Sequence, residues 1–282
     1  MRLERVKCLS AGGFHTMAYT EWGEPDASRT VVCVHGLTRN SSDFDVLAAR
    51  ISATGARVVC PDVVGRGASD WLIDPTGYCY PQYMADMAVL LARLNVSEVD
   101  WVGTSMGGVI GMMLAAKKGS PIRRLVINDI GPFIPKASLE RIASYVGADR
   151  RFPDLAAAEA YFRKVHAAFG ALSDAEWRQL TENSVRTADE GGFWLRYDPG
   201  IAAAFEPGKM EDVDLWPVWD RIACPTLLLR GENSDLLLAE TAAQMATSGP
   251  KAEVMTVPGC GHAPALLSHS QTGMVVAFLA RD

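Results

Sequence analysis

The sequence predicts an α/β protein: a mostly parallel β-sheet with helices on both faces and a helical segment inserted late in the chain. Three observations predict it. Short β-branched or aliphatic runs alternate with longer stretches of helical period. A serine flanked by glycines sits at one junction between such a run and such a stretch. The alternation stops after residue 132 and resumes near residue 221.

Taken in order, Phe14–Trp22 reads as a first, antiparallel strand, and Thr30–Val34 as a buried strand ended by His35 and Gly36. Asp43–Ala53 has helical period, and Arg57–Cys60 is a strand stopped by Pro61. Tyr80–Leu94 is the next helix, Val99–Val102 the next strand, and Met106–Lys118 the helix that follows it. Arg124–Ile127, Thr226–Leu229 and Glu253–Val257 complete the strands, and His269–Ala280 is a final helix. Strands that alternate with helices in this way pair in parallel, with both sheet faces covered. The stretch from Phe133 to Asp220 is rich in Ala, Arg, Glu and aromatics and is too long for a simple crossover. It is expected to be a helical cap (133–220) on a core formed by 1–132 and 221–282.

The composition narrows the function. The chain has 282 residues, 49% of them hydrophobic, which suits one large domain with an insertion. A net charge of −6 argues against a dedicated nucleic-acid binder, and Arg123-Arg124 and Arg150-Arg151 are best explained as solvated surface. No apolar run is long enough to span a bilayer, and the N-terminus lacks the pattern of a signal peptide. The six cysteines include no C-x-x-C pair, so a zinc site is not expected. They are expected to be reduced thiols of a cytoplasmic protein without nucleic-acid or membrane partners. Cys260, two residues before His262, reads as a loop residue near the site and not as a redox centre.

The strongest chemical signal is Gly103-Thr104-Ser105-Met106-Gly107, a G-x-S-x-G pattern directly after a strand and directly before a helix. A sharp turn there thrusts the Ser105 hydroxyl out at the carboxyl edge of the sheet, where open α/β sheets bind ligands. A helix N-cap is the weaker explanation of that serine. A hydroxyl needs a base within reach to act as a nucleophile. Of the five histidines, His262 lies in a glycine-rich loop after the last strand and is the candidate. An acid must orient it. Asp235, in the loop after Thr226–Leu229, is preferred, and Asp129, after Arg124–Ile127, is the alternative. The N–H groups of Met106 and Leu37 are the expected oxyanion donors. His35 is expected to support that loop without taking part in the chemistry.

Five segments, His35-Gly36-Leu37, Asp62 to Ser69, Gly103 to Gly107, Gly231 to Asp235 and Gly261-His262-Ala263-Pro264, resemble the α/β-hydrolase superfamily over nearly the whole chain. The resemblance implies an eight-stranded sheet, a cap after the sixth strand and a cofactor-free, metal-free Ser-His-Asp site. It also implies that the acid sits at Asp235, although some branches place it after the sixth strand. Serine at 105 argues against the dehalogenase and epoxide-hydrolase branches. Leu37-Thr38-Arg39-Asn40 lacks the glycine-rich continuation common in carbon–carbon bond hydrolases.

The expected activity is therefore cleavage of a small to medium carboxylic ester or lactone through an acyl-enzyme. The alternatives are carbon–carbon cleavage of a vinylogous diketone and a ligand-binding relative of low turnover. Arg39 is a candidate for pairing with a substrate carboxylate, though a surface arginine is the plainer explanation. Trp194 and Tyr197 are candidate pocket residues. The cap offers an apolar patch compatible with a homodimer.

Overall fold

In the computed structural model, residues 1–148, 150–205 and 208–281 are described. The chain opens with antiparallel β1 (Arg2–Ser10) and β2 (Gly13–Trp22). There follow β3 (Thr30–Val34), α1 (Asp45–Ser52), β4 (Arg57–Pro61), α2 (Tyr80–Leu94), β5 (Val99–Thr104), α3 (Met106–Ala115) and β6 (Ile122–Asn128). After an excursion, β12 (Thr226–Gly231), α8 (Ala239–Met245), β13 (Glu253–Val257) and α9 (His269–Leu279) finish the core. The eight strands lie in the order β1-β2-β4-β3-β5-β6-β12-β13, and only β2 runs against its neighbours.

The central strands β3, β4, β5, β6 and β12 are largely apolar because both of their faces are covered. Val31 and Cys33 of β3, with Val102, Val126, Leu227 and Leu229, pack under α1 and α9. Val32 and Val34 point the other way and join Trp101, Leu125, Ile127 and Leu228 beneath α2, α3 and the excursion. The period-2 alternation of strand side chains thus splits one sheet into two cores. Trp101 is fully buried, and its Nε1 donates to the Gly107 carbonyl at 3.0 Å, tying β5 to the first turn of α3.

The register brings the strand ends to one level. Val34 pairs with Gly103, Thr104 with Asn128, and Asn128 with Leu229. Residues 35, 105 and 129 therefore all leave the sheet along one carboxyl edge, where β12 runs on beside β13 to Gly231.

The excursion differs from the all-helical expectation. It holds β7 (Phe133–Ile134), α4 (Lys136–Ala143), β8 (Arg151–Phe152), α5 (Leu155–Val165), α6 (Asp174–Ser184), β9 (Val185–Thr187), β10 (Phe193–Leu195), β11 (Val213–Asp214) and α7 (Trp216–Trp219). Three of its short strands form a small sheet, β8-β10-β9, and β11 pairs with β7. Strands of two or three residues leave almost no periodic signal, which is why the sequence pattern shows only the helices. Within the helical part the local rules hold: Ser173 and Glu176 form a reciprocal capping box that starts α6, and Asp154 caps α5. Among the described residues no helix is long and apolar enough to cross a membrane.

Candidate active site

Ser105 sits between β5 and α3 with φ 50° and ψ −115°, a conformation that a residue with a side chain rarely adopts. The glycines around it make the turn possible. A Cβ on Gly103 would lie 2.2 Å from the Gly107 carbonyl oxygen, and one on Gly107 would lie 2.0 Å from that of Val34. The turn is locked by Ser105 N–H donating to the Asn128 carbonyl at 3.0 Å. The half-buried hydroxyl donates to His262 Nε2 at 2.9 Å.

The loop after β13 delivers His262. Its Nδ1 donates to Asp129 Oδ2 at 2.9 Å, which fixes the tautomer that leaves Nε2 free to accept. Asp129 is fully buried at the end of β6, with φ 58°, a region that Asp tolerates better than most residues. Its carboxylate is completely partnered: Oδ1 accepts from Gly231 N–H at 2.7 Å, and Oδ2 also accepts from Ser234 Oγ at 2.6 Å. A buried carboxylate needs such donors to remain an acceptor.

This geometry corrects the preferred acid. The side chain of Asp235 is 52% exposed and pairs with Arg141 of α4 at 2.5 and 3.0 Å. The loop after β12 turns Ser234 inward, where its hydroxyl also accepts the N–H groups of Leu236 and Leu237, and so Asp235 faces out. The loop that was expected to supply the acid instead donates to Asp129 through Gly231 and Ser234.

The loop after β3 is held by two buried side chains. The His35 ring donates from Nδ1 to the Gly36 carbonyl at 2.7 Å and accepts from Val63 N–H at Nε2, 2.9 Å away. Burial pushes its pKa down to about 3, so the ring is neutral. Across a trans peptide the C=O and the following N–H point in opposite directions, so pinning the Gly36 oxygen turns the Leu37 N–H the other way. Gly36 lies beside the serine, a Cβ built on it falling 3.7 Å from Ser105 Cβ. Arg66, fully buried, donates from Nε to the Leu37 carbonyl at 2.9 Å, and its Nη2 lies 3.7 Å from Met106 Sδ. Among the described residues neither Leu37 N–H nor Met106 N–H donates a hydrogen bond, so both remain available to a ligand oxygen. Arg66 lies in the Asp62–Ser69 segment, which in the sequence carries only the family resemblance; an arginine between two glycines, Gly65 and Gly67, is the signal that was there to find.

A cleft with about 1110 Å³ of empty space, its open mouth included, rises from Ser105 and His262 between the core and α4, α5 and α6. Leu37, Phe44, Ile142, Val165, Phe169 and Leu180 give it apolar walls. Arg39 lines it but is committed: Asp43 takes Nε and Nη2 at 2.6 to 3.2 Å, and Nη1 donates to Ser184 of α6 at 2.6 Å. It is not free to clamp a carboxylate. Trp194 and Tyr197 lie elsewhere, on a separate depression with Trp71 and Arg186. They belong to β10 and its continuation, where the Tyr197 backbone pairs with Arg66, so they are structural and not pocket residues. His166, noted in the sequence only as one of the histidines, lines the cleft.

Remote from the cleft, Cys8, His15 and Asp86 offer donor atoms within 4.8 Å of one another. His15 Nε2 and Gln82 already bond both Asp86 oxygens, at 3.0 and 2.7 Å, so the cluster is explained as a buried hydrogen-bonded pair beside a thiol.

Comparison with known proteins agrees with the fold. The chain is 44% identical to a 3-hydroxybutyrate-oligomer hydrolase of Cupriavidus necator, covering 98% of this chain and 97% of that one. It is 29% identical to a 2-(acetamidomethylene)succinate hydrolase of Mesorhizobium japonicum over 81% of this chain and 79% of the relative. The crystal structure of an alpha/beta hydrolase from Novosphingobium aromaticivorans superposes with a TM-score of 0.89 at 35% identity, over 99% of each chain. A family profile for the alpha/beta hydrolase fold matches residues 29–268. With the fold, the profile and these relatives in agreement, the chain belongs to the alpha/beta hydrolase family and is a hydrolase.

Proposed function

We propose that the chain is a serine esterase that cleaves short oligoesters of a hydroxy acid of the 3-hydroxybutyrate type. The observation that carries the chemistry is the unbroken relay Ser105 Oγ, His262 Nε2, His262 Nδ1 and Asp129 Oδ2, with both links at 2.9 Å. The substrate class is supported by the relative that is 44% identical over almost the full length of both chains. It is also supported by the apolar wall that Leu37, Phe44, Ile142, Val165, Phe169 and Leu180 give the cleft, which suits the methyl groups of such an ester chain.

In this mechanism His262 takes the Ser105 proton as the oxygen attacks the ester carbonyl. Asp129 holds the ring and stabilises the imidazolium, keeping its own charge through the Gly231 and Ser234 donors. The oxyanion accepts the free N–H groups of Leu37 and Met106, the second at the positive end of α3. His262 then protonates the leaving hydroxyl. Water, activated by the same ring, cleaves the acyl-serine.

The test is release of 3-hydroxybutyrate from its linear dimer and trimer, with p-nitrophenyl butyrate as a second substrate. Wild type should turn over all three, and a folded Ser105→Ala protein should lose at least ~10³-fold in kcat on each. A Ser105→Ala protein at wild-type rate would sink the mechanism. A wild type that cleaves only the nitrophenyl ester would sink the substrate class.

A further inference from the structure

His166 is a buried cleft residue whose ring nitrogens have no part in the relay or the oxyanion loop. It ends α5 and is 7% exposed. Its ring stacks between Phe162, 5.8 Å away with planes 5° apart, and Phe169, 4.5 Å away at 21°. These two contacts hold both faces of the imidazole and leave only its edge, which carries the nitrogens. Neither ring nitrogen hydrogen-bonds to another described residue. Nor is either one sealed off, for the buried polar atoms that lack partners lie elsewhere.

The position is rigid with respect to His262. Gly261 N–H donates to the Ala168 carbonyl at 2.7 Å, and Cys260 Sγ lies 3.6 Å from the Phe169 carbonyl oxygen. The turn that carries His166 is therefore bonded to the loop that carries the base. A group that can both donate and accept, unpaired by the protein and open at the cleft wall, is available to a polar group of a bound ligand.

We infer that His166 is a specificity residue that hydrogen-bonds the β-hydroxyl of the acyl unit seated in the cleft. This rests on the oligoester reading above and deepens it. A neutral imidazole offers one donor and one acceptor, the same complement as a hydroxyl. Burial, the charge of Arg39 and the neighbouring His262 all push the His166 pKa well below the ordinary imidazole value, so the ring carries no charge for a carboxylate. The two arginines of the lining, Arg39 and Arg141, are each paired with a carboxylate, Asp43 and Asp235 respectively. The site is thus equipped to recognise the hydroxyl end of an oligoester and not its carboxylate end. A site that hydrogen-bonds a substrate hydroxyl rejects the analogue without it far more strongly than an apolar pocket separates homologues.

The experiment compares two substrates that differ only in that group: the linear dimer of 3-hydroxybutyrate, and butyryl-3-hydroxybutyrate. The readout is the ratio of their kcat/KM values in wild type, His166→Phe and His166→Gln. Wild type should prefer the hydroxylated dimer at least ~10-fold. His166→Phe, which keeps the aromatic stack, should bring the ratio close to one. His166→Gln, again a neutral donor and acceptor, should keep part of the preference. A wild-type ratio retained in His166→Phe, whether or not both rates fall together, would overturn the inference and leave the esterase reading intact. Failure of wild type to cleave either substrate would overturn the oligoester reading, and this inference with it.

Discussion

Asp129 and Asp235 both follow a core strand and both precede His262 in the chain, yet only Asp129 meets the imidazole. The difference lies in which side chain of each loop turns inward, a property of backbone torsions that no spacing rule reads. Ser105 and His262 were legible because each sits in a glycine-rich context with a single plausible purpose. The carboxylate partner of His262 was legible only as a choice of two, and the family habit favoured Asp235, which lies against Arg141 and not against the imidazole. The prediction is direct. Asp129→Asn should lower kcat by roughly 10³ to 10⁴ while leaving the protein folded, since the ring loses its orienting charge. Asp235→Asn breaks only a surface pair with Arg141 and should stay within a few-fold of wild type in an esterase assay. Equal losses in the two variants would refute the assignment.

The central strands could be placed from the sequence because they are buried on both faces, so that aliphatic residues run together, as in Thr30–Val34 and Thr226–Leu229. Edge strand β1 escaped notice for the opposite reason: Arg2, Glu4 and Lys7 interrupt the apolar pattern. The loop after β3 shows what an element adds beyond its strand. Its shape depends on an uncharged His35, because protonating Nε2 would set a second N–H against that of Val63. With its pKa pushed down to about 3, the ring makes a contribution to stability that is complete above the ordinary imidazole value near 6.5 and is lost as the pH falls from there toward 3. Over that window His35 alone should lower the unfolding free energy by up to ~1.4 kcal/mol per pH unit. The check is NMR: the ¹⁵N shifts of His35 should stay those of a neutral Nδ1–H ring from pH 8 down to pH 5. A protonated signature at pH 5 would contradict the buried arrangement.

On the scale of the whole molecule, the excursion is clamped to the core by side chains of one core loop. Arg39 reaches Ser184, and Asn40 Nδ2 donates to the Asn183 carbonyl at 2.8 Å, both at the end of α6. On the opposite side the Tyr78 hydroxyl bonds Asp198, and Gly67 N–H donates to the Arg196 carbonyl at 3.0 Å. None of these contacts is local, so none could be inferred from the sequence. Arg39→Ala removes a charge-assisted bond of about 1.5 to 3 kcal/mol from one side of the clamp. Limited proteolysis should then cut between residues 133 and 220 at least ~10-fold faster, since local opening follows the same free energy. An unchanged cleavage rate would mean that the apolar contacts alone hold the two parts together.

The torsion angles of Ser105 carry a consequence for heat tolerance. A side chain held at φ 50° and ψ −115° costs about 1 to 3 kcal/mol, and glycine would escape most of that cost at an entropic penalty of roughly 0.4 to 1 kcal/mol. Ser105→Gly should therefore melt about 2 to 4 °C above Ser105→Ala, which keeps the strain, provided that the net gain is about 1 kcal/mol. A lower melting point for the glycine variant would mean that the turn is relaxed in spite of its angles. If the order holds, the residue proposed to attack the ester is also a weak point of the fold, and a search for sturdier variants scored on melting alone would tend to discard the hydroxyl on which the proposed reaction depends.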